Sequence, residues 1–275
     1  MPTAARRLDG AWNFRDVADV VADLQAGRLL RSGELSRLTD GGRAELSRLA
    51  VTDVADLRSP REVARRGPGR VPDGVDIHLL PFPDLGAGGG DGDQGAEAPH
   101  EQAWQQMMAH KPDDEPVEAA AARYMTSEYR GFPVLSGARR AVRQVITLLG
   151  SGQTVLAHCF AGKDRTGFTV AVTLSAVGVD RDAVLADYTA SNTAVAQLRA
   201  AIQEMIAARA EAGLTEEVAT FTEARLTDQV LGVREEYLAA AFATIDSEYG
   251  SLSGFLRAAE VTDADLERLR AALLR

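Results

Sequence analysis

The stretch Thr154-Val155-Leu156-Ala157-His158-Cys159-Phe160-Ala161-Gly162-Lys163-Asp164-Arg165-Thr166-Gly167 decides the reading of this chain. Thr154 to Ala157 is a short apolar run of the kind that forms a buried central strand. It delivers Cys159 to the carboxyl edge of a sheet. Before it, Ala138, Ala141, Val142, Val145, Ile146 and Leu149 recur at helical spacing, and Gly150 and Gly152 end that helix. After it, Phe168 to Val177 reads as an apolar helix with Gly178 as its stop. Helix, strand, loop, helix is the grammar of an α/β fold, here a central, mostly parallel sheet flanked by helices, which places ligands at the carboxyl ends of its strands.

Further upstream, Val51 to Leu57 reads as a strand leading into a helix around Ser59-Pro60-Arg61-Glu62. Val75 to Leu80 reads as a second strand, ended by Pro81 and Pro83. Gly86 to Gly95 holds six glycines and two aspartates, so residues from about 86 to 118 read as an acidic insertion that packs poorly. Downstream, Val195, Leu198, Ile202, Met205 and Ile206 form one apolar stripe, and Val218, Phe221, Leu226 and Val230 a looser one, with Gly213 between them. Such a pair of amphipathic helices either packs as core, the commoner use of an apolar stripe, or closes over the site.

A chain of 275 residues with 45% hydrophobic and 25% charged residues can bury a full core and fits one domain, 1–275, with insertions. A net charge of -10 argues against a nucleic-acid partner, so an anionic substrate needs a local cationic pocket. No apolar run reaches the length of a membrane span, and Arg6 and Arg7 have no apolar stretch behind them. The expected location is cytoplasmic. One cysteine excludes an intramolecular disulfide and a multi-cysteine zinc site.

Cys159 therefore matters as a thiol, and a thiol is nucleophilic as its thiolate. Ala161 and Gly162 are small enough for successive backbone N–H groups to turn inward, and a helix begins near Thr166. Together they form an anion nest for the thiolate and for a bound phosphate, with Phe160, Ala161, Gly162, Lys163, Asp164 and Arg165 as its lining. Arg165, six positions after Cys159, can fold its planar fork over two phosphoryl oxygens. Thr166 supplies a hydroxyl beside the sulfur when it leaves. His158, pointing to the opposite face of the strand, braces the loop and tunes the thiol. The Gly162-Lys163 pair does not make a nucleotide loop, since Asp164 stands where a magnesium-holding Ser or Thr is needed. The pattern points to hydrolysis of phosphomonoesters without metal or cofactor. Its alternative is a phosphate-binding adaptor without turnover.

Such a reaction needs an acid to protonate the leaving oxygen. Two candidates stand out: Asp164 within the loop, and Asp84 in Pro81-Phe82-Pro83-Asp84, which resembles the Trp-Pro-Asp acid segment of tyrosine phosphatases with phenylalanine for tryptophan.

Trp12-Asn13-Phe14-Arg15-Asp16, Arg31-Ser32-Gly33-Glu34-Leu35-Ser36, Asp56-Leu57-Arg58, the Pro-Phe-Pro-Asp segment, the whole loop and Gly232-Val233-Arg234-Glu235-Glu236-Tyr237 carry a wider likeness. Over nearly its full length the chain resembles the mycobacterial protein tyrosine phosphatase B group of actinobacteria, within the cysteine-based phosphatases. The resemblance implies a broadened phosphatase acting on phosphotyrosine, phosphoserine or phosphothreonine, and phosphoinositides. It favours Asp164 as the acid and gives Lys163 a role toward multiply phosphorylated head groups. It also implies a two-helix lid at about 191–231, and release from the cell without an ordinary signal peptide.

Overall fold

The computed structural model describes residues 7–82, 112, 114–210 and 226–275, with the side chains of 205–210 excepted. Asp84, most of the Gly/Asp-rich insertion, and Gly213, Val218 and Phe221 lie outside the described residues, as do the side chains of Met205 and Ile206.

Five strands form one sheet: β1 (Arg15–Asp16), β2 (Leu29–Ser32), β3 (Asp53–Asp56), β4 (Asp76–Leu79) and β5 (Val155–His158), in the order β1-β2-β5-β3-β4. β1 runs antiparallel to β2, and every other pairing is parallel. β5 is thus central, hydrogen-bonded to β2 on one side and β3 on the other, with His158 opposite both Ser32 and Asp56.

The strand period of two divides its side chains between two cores. Leu29, Ala55, Val155 and Ala157 face the larger one, and Cys159 joins it. Leu30, Val54 and Leu156 face the smaller one, filled by Leu8, Leu35, Leu38 and Leu46. Leu46 comes from α1 (Asp40–Arg48), whose first turn is capped by Thr39. On the larger side lies α4 (Ser136–Gly150), which buries Ala138, Ala141, Val142, Val145, Ile146 and Leu149, the six positions that its periodicity marks as one face. Beside it stands α5 (Arg165–Ala176), almost wholly buried; it starts three residues earlier than its apolar run suggests, so Arg165 belongs to its first turn.

Several elements escaped the sequence reading, α1 among them. β2 contains Arg31, fully buried, whose charge interrupts the apolar run that would have marked a strand. The 3₁₀ turn Val17–Asp19 and the two-residue β1 are too short to leave a pattern. α3 (Val117–Gly131) begins inside the span read as insertion, and it buries Met125 and Tyr129. Between β3 and β4, α2 (Pro60–Arg66) starts with a full capping box, Ser59 Oγ accepting from the N–H of Glu62 and the Glu62 carboxylate accepting from that of Ser59.

The remaining described residues are mostly helical: α6 (Arg181–Ala190), a 3₁₀ turn (Ser191–Ala194), α7 (Val195–Ala210), α8 (Asp228–Leu231), α9 (Glu235–Tyr249), α10 (Leu252–Ala258) and α11 (Asp263–Leu273). α9, α10 and α11 supply Leu238, Ile245, Phe255, Leu269 and Leu273 to the larger core. The described side chains of α7 do not join it. Leu198 and Ile202 of α7 pack instead with Leu226, Leu231, Trp12, Phe160 and Ala161 in a separate small cluster.

Candidate active site

In the loop after β5, every backbone carbonyl from His158 to Asp164 has a polar partner. Leu57 N donates to His158 O at 2.8 Å, and Glu34 N to Phe160 O at 2.9 Å. His158 Nδ1 lies 3.2 Å from Cys159 O. The Asn13 amide donates to Ala161 O at 3.3 Å and Gly162 O at 2.9 Å, and Arg31 Nη2 also donates to Gly162 O, at 2.8 Å. Gly167 N and Phe168 N take the carbonyls of Lys163 and Asp164 as α5 starts.

With the carbonyls claimed, the N–H groups of Phe160 to Arg165 have no acceptor among the described residues. Backbone donors are seldom left so, and a run of them around a concave turn is an anion site. Gly162 makes the turn possible. Its φ is +70°, and a Cβ there would come within 2.3 Å of Ser32 O.

The donors behind the loop are themselves fixed. Arg31, with no exposed surface, reaches Asp187 Oδ2 at 2.5 Å, and Arg15 Nε reaches Asp187 Oδ1 at 2.8 Å. Both guanidinium groups also donate to Ser191 Oγ. Burial weighs most heavily against the Asp187 charge, but the two arginines outweigh it and hold the carboxyl below its usual range. Burial, followed by repulsion from Arg31, brings Arg15 down to about 10.

Cys159 is 1% exposed. Thr166 Oγ1, in the same first turn, is buried with no hydrogen-bond partner among the described residues. His158 stands on the opposite face of β5, fully buried, with Nε2 3.6 Å from Asp56 Oδ1. Burial lowers its pKa below the ordinary histidine value in spite of Asp56. Asp56 is gripped by Arg58, with Nη2 at 2.7 Å and Nε at 2.9 Å.

Arg165 is held from α2. Its Nη1 and Nη2 each lie 2.7 Å from a carboxylate oxygen of Glu62, and Nη1 donates to Leu57 O at 3.1 Å. Burial is the largest influence and opposes its charge, yet Glu62, with Cys159 and Asp164 adding to it, raises Arg165 above the ordinary arginine value.

Asp164 precedes the helix without capping it; its Oδ1 instead accepts from Lys163 Nζ at 2.7 Å and from Tyr129 Oη at 3.0 Å. The Lys163 ammonium is thus nearly buried and directed to Asp164. Next to Tyr129 on α3, the half-buried Glu128 is raised to about 6 by burial and then by the Asp164 charge, against the pull of Arg165. At the rim, Phe160 meets Trp12 edge to face at 5.6 Å between centroids, and the Arg66 guanidinium carbon lies 4.0 Å above its ring.

The structure therefore gathers Cys159, Phe160, Ala161, Gly162, Lys163, Asp164, Arg165 and Thr166 at one sheet edge. The sequence reading left out Glu62, Glu128, Tyr129, Asn13 and Arg31. Of these, Glu62 had a visible signal in its capping-box spacing from Ser59, and Asn13 and Arg31 lay in stretches noted only for their likeness to a family.

The model of the tyrosine phosphatase family matches residues 6–275. The chain is 59% identical over 278 residues to the triple specificity protein phosphatase PtpB of Mycobacterium tuberculosis, covering 98% of this chain and 99% of that protein. It is 32% identical over 267 residues to a protein of Cupriavidus necator whose name places it among tyrosine-protein phosphatases, covering 96% of this chain and 86% of that protein. With the cysteine, the arginine and the anion-binding turn in place between β5 and α5, this chain belongs to the tyrosine phosphatase family.

Proposed function

We propose that the chain hydrolyses phosphomonoesters in two displacements on phosphorus, and that its range extends from phosphotyrosine to phosphoserine, phosphothreonine and phosphoinositides. Cys159 Sγ attacks phosphorus, the bond to the ester oxygen breaks with its electron pair, and Asp164 gives that oxygen a proton. Water then attacks the cysteinyl phosphate, Asp164 takes up the proton, and the sulfur leaves beside the Thr166 hydroxyl. Arg165 and the N–H groups of Phe160 to Arg165 hold the phosphoryl oxygens throughout.

The observation that carries this reading is the hydrogen bonding of the loop, whose carbonyls from His158 to Asp164 are engaged while the N–H groups of Phe160 to Arg165 have no acceptor among the described residues. The breadth of substrates rests on the likeness to a relative named for triple specificity. Asp164 is preferred as the acid because it lies in the loop itself, next to Arg165. His158 braces the loop through Cys159 O and sits between the thiol's strand and Asp56. Lys163 adds positive charge inside the loop, and a head group with a second anion would draw on it through the cradle rather than at the surface.

α7 and α8 act as a cover. Leu198 and Ile202 of α7 and Leu231 of α8 cluster with Phe160 and Ala161 rather than with the main core, against which Val230 of α8 packs, so α7 is the part free to open. Nothing at the site favours an adaptor, since Thr166 and Asp164 would be idle in one. Among the described residues no helix is long and apolar enough to cross a membrane, so lipid substrates would be met at a membrane surface.

The deciding measurement is hydrolysis of p-nitrophenyl phosphate by the wild type and by Cys159→Ser. Turnover lost with phosphate binding retained supports the reading; turnover retained overturns it. Rates on a phosphotyrosine peptide, a phosphothreonine peptide and a monophosphorylated phosphoinositide, side by side, test the range.

A further inference from the structure

Behind the loop lies a pair of buried tyrosines that the reaction as described leaves unused. Tyr188 Oη is 2.8 Å from Tyr129 Oη, which is 3.0 Å from Asp164 Oδ1. Neither ring has freedom to turn away. Tyr129 is closed in by Phe132 at 4.9 Å, Tyr237 at 5.7 Å and Tyr188 at 6.1 Å between centroids. Tyr188 packs on Gly167 of α5 so closely that a Cβ there would come within 2.9 Å of its ring. The hydroxyl positions are therefore set by packing.

The hydrogens along this chain have one direction. A carboxylate oxygen only accepts, so Tyr129 donates to Asp164, and the Tyr129 oxygen receives the hydrogen of Tyr188. Burial, reinforced by the Asp164 charge, pushes both phenols above the ordinary tyrosine value, so each keeps its proton and acts as a donor. Asp164 Oδ1 then carries two incoming hydrogen bonds, from Tyr129 and from Lys163 Nζ. Oδ2 has no hydrogen-bond partner among the described residues.

We propose that Tyr129 and Tyr188 are positioning residues for the acid: with Lys163 they occupy Oδ1 of Asp164, so the proton delivered to the leaving oxygen is carried on Oδ2. In the first step the Oδ2–H bond breaks as the hydrogen bonds to the departing ester oxygen, and in the second Oδ2 takes a proton back from the attacking water. The two phenols neither lose nor gain a proton. This inference rests on Asp164 being the acid.

Tyr129→Phe keeps the ring and removes the hydroxyl. On phenyl phosphate, a poor leaving group, we expect kcat to fall about tenfold with KM unchanged, and on p-nitrophenyl phosphate to fall less than about twofold, since only the first ester needs the proton. Placed in an Asp164→Asn background, Tyr129→Phe is expected to add no further loss. Equal losses on the two esters, or a full additional loss in that background, would overturn the positioning role. If Asp164→Asn shows the leaving-group pattern and Tyr129→Phe does not, the positioning role alone fails. If Asp164→Asn lacks the pattern, the acid assignment fails and takes the positioning role with it. Tyr188→Phe is expected to show the same pattern with a smaller loss, and it provides the test should Tyr129→Phe not fold.

Discussion

Glu62 holds Arg165 with both carboxylate oxygens, each 2.7 Å from a guanidinium nitrogen. The same carboxylate closes the capping box of α2 through the Ser59 N–H at 2.8 Å, so the helix start and the Arg165 guanidinium are oriented by one side chain. An arginine aimed before the substrate arrives loses less entropy when phosphate charge develops under it.

Glu62→Ala should therefore cost both rate and stability. We expect kcat/KM to fall at least about tenfold on good and poor leaving groups alike, and stability to fall by about 1 kcal/mol from the lost cap. Glu62→Gln should spare more of the stability than of the rate, which separates the two effects in paired kinetics and thermal melts. Arg165→Ala should reduce kcat by an amount equivalent to about 3 kcal/mol with KM little changed; a change confined to KM would remove Arg165 from the transition state.

Arg31 donates to the loop carbonyl of Gly162 and pairs with Asp187 in a buried setting. Arg31→Met leaves Asp187 buried beside Arg15 alone, and breaking a buried pair by removing one partner costs about 3–5 kcal/mol. A large drop in melting temperature is expected, visible by calorimetry. Asn13→Ala removes only neutral hydrogen bonds to Ala161 and Gly162. It should leave the fold intact but weaken inhibition by inorganic phosphate, because the carbonyls it restrains can then rotate toward the anion.

Glu128 sets a pH dependence of stability. Its carboxyl, at 4.5 in an ordinary setting, is raised to about 6 in the fold, so the folded state binds more protons between those values. That contribution is fully present below about 4.5 and is lost as pH rises through about 6. Glu128→Gln should thus be more stable than the wild type by about 1 kcal/mol at pH 7.5, after allowance for partial exposure, and no more stable at pH 4. Melting curves at the two pH values decide it. A carboxyl kept at a cost beside Asp164 and Arg165 is a common mark of a working site.

The proposal that α7 covers the loop is open to an oxidation test. Leu198 packs on the cluster containing Phe160 and Ala161, so Leu198→Glu should displace the helix from the loop. Peroxide should then inactivate Cys159 several-fold faster, while p-nitrophenyl phosphate turnover is kept or raised in protein confirmed to be folded. Unchanged inactivation, or loss of the fold, would make α7 part of the core.

What the sequence made legible was whatever repeats or sits close together. The α4 face, the central strand β5 and the loop from His158 to Gly167 follow from periodicity and spacing within short windows. The bracing did not. Asn13 lies 149 positions from Gly162, and Arg31 lies 156 from Asp187; no local pattern records a hydrogen bond over such a separation. Arg31 also hid its own strand, since a buried charge reads locally as a surface one. Glu62 was visible as a cap, but one side chain serving two structures cannot be told from one serving a single structure until the chain has folded. Tyr129 lay on a helix whose first residues fall within the stretch read as insertion.

Asn192 pairs its side-chain amide with both backbone groups of Val233, donating to the carbonyl at 3.0 Å and accepting from the N–H at 2.7 Å. The chain segments before α7 and after α8 are thereby tied together, one residue beyond Ser191, where the Arg15 and Arg31 network ends. Because that tie is closed locally, a substitution in the described part of α7 or in α8 leaves the bracing of the loop by Asn13, Arg15 and Arg31 untouched.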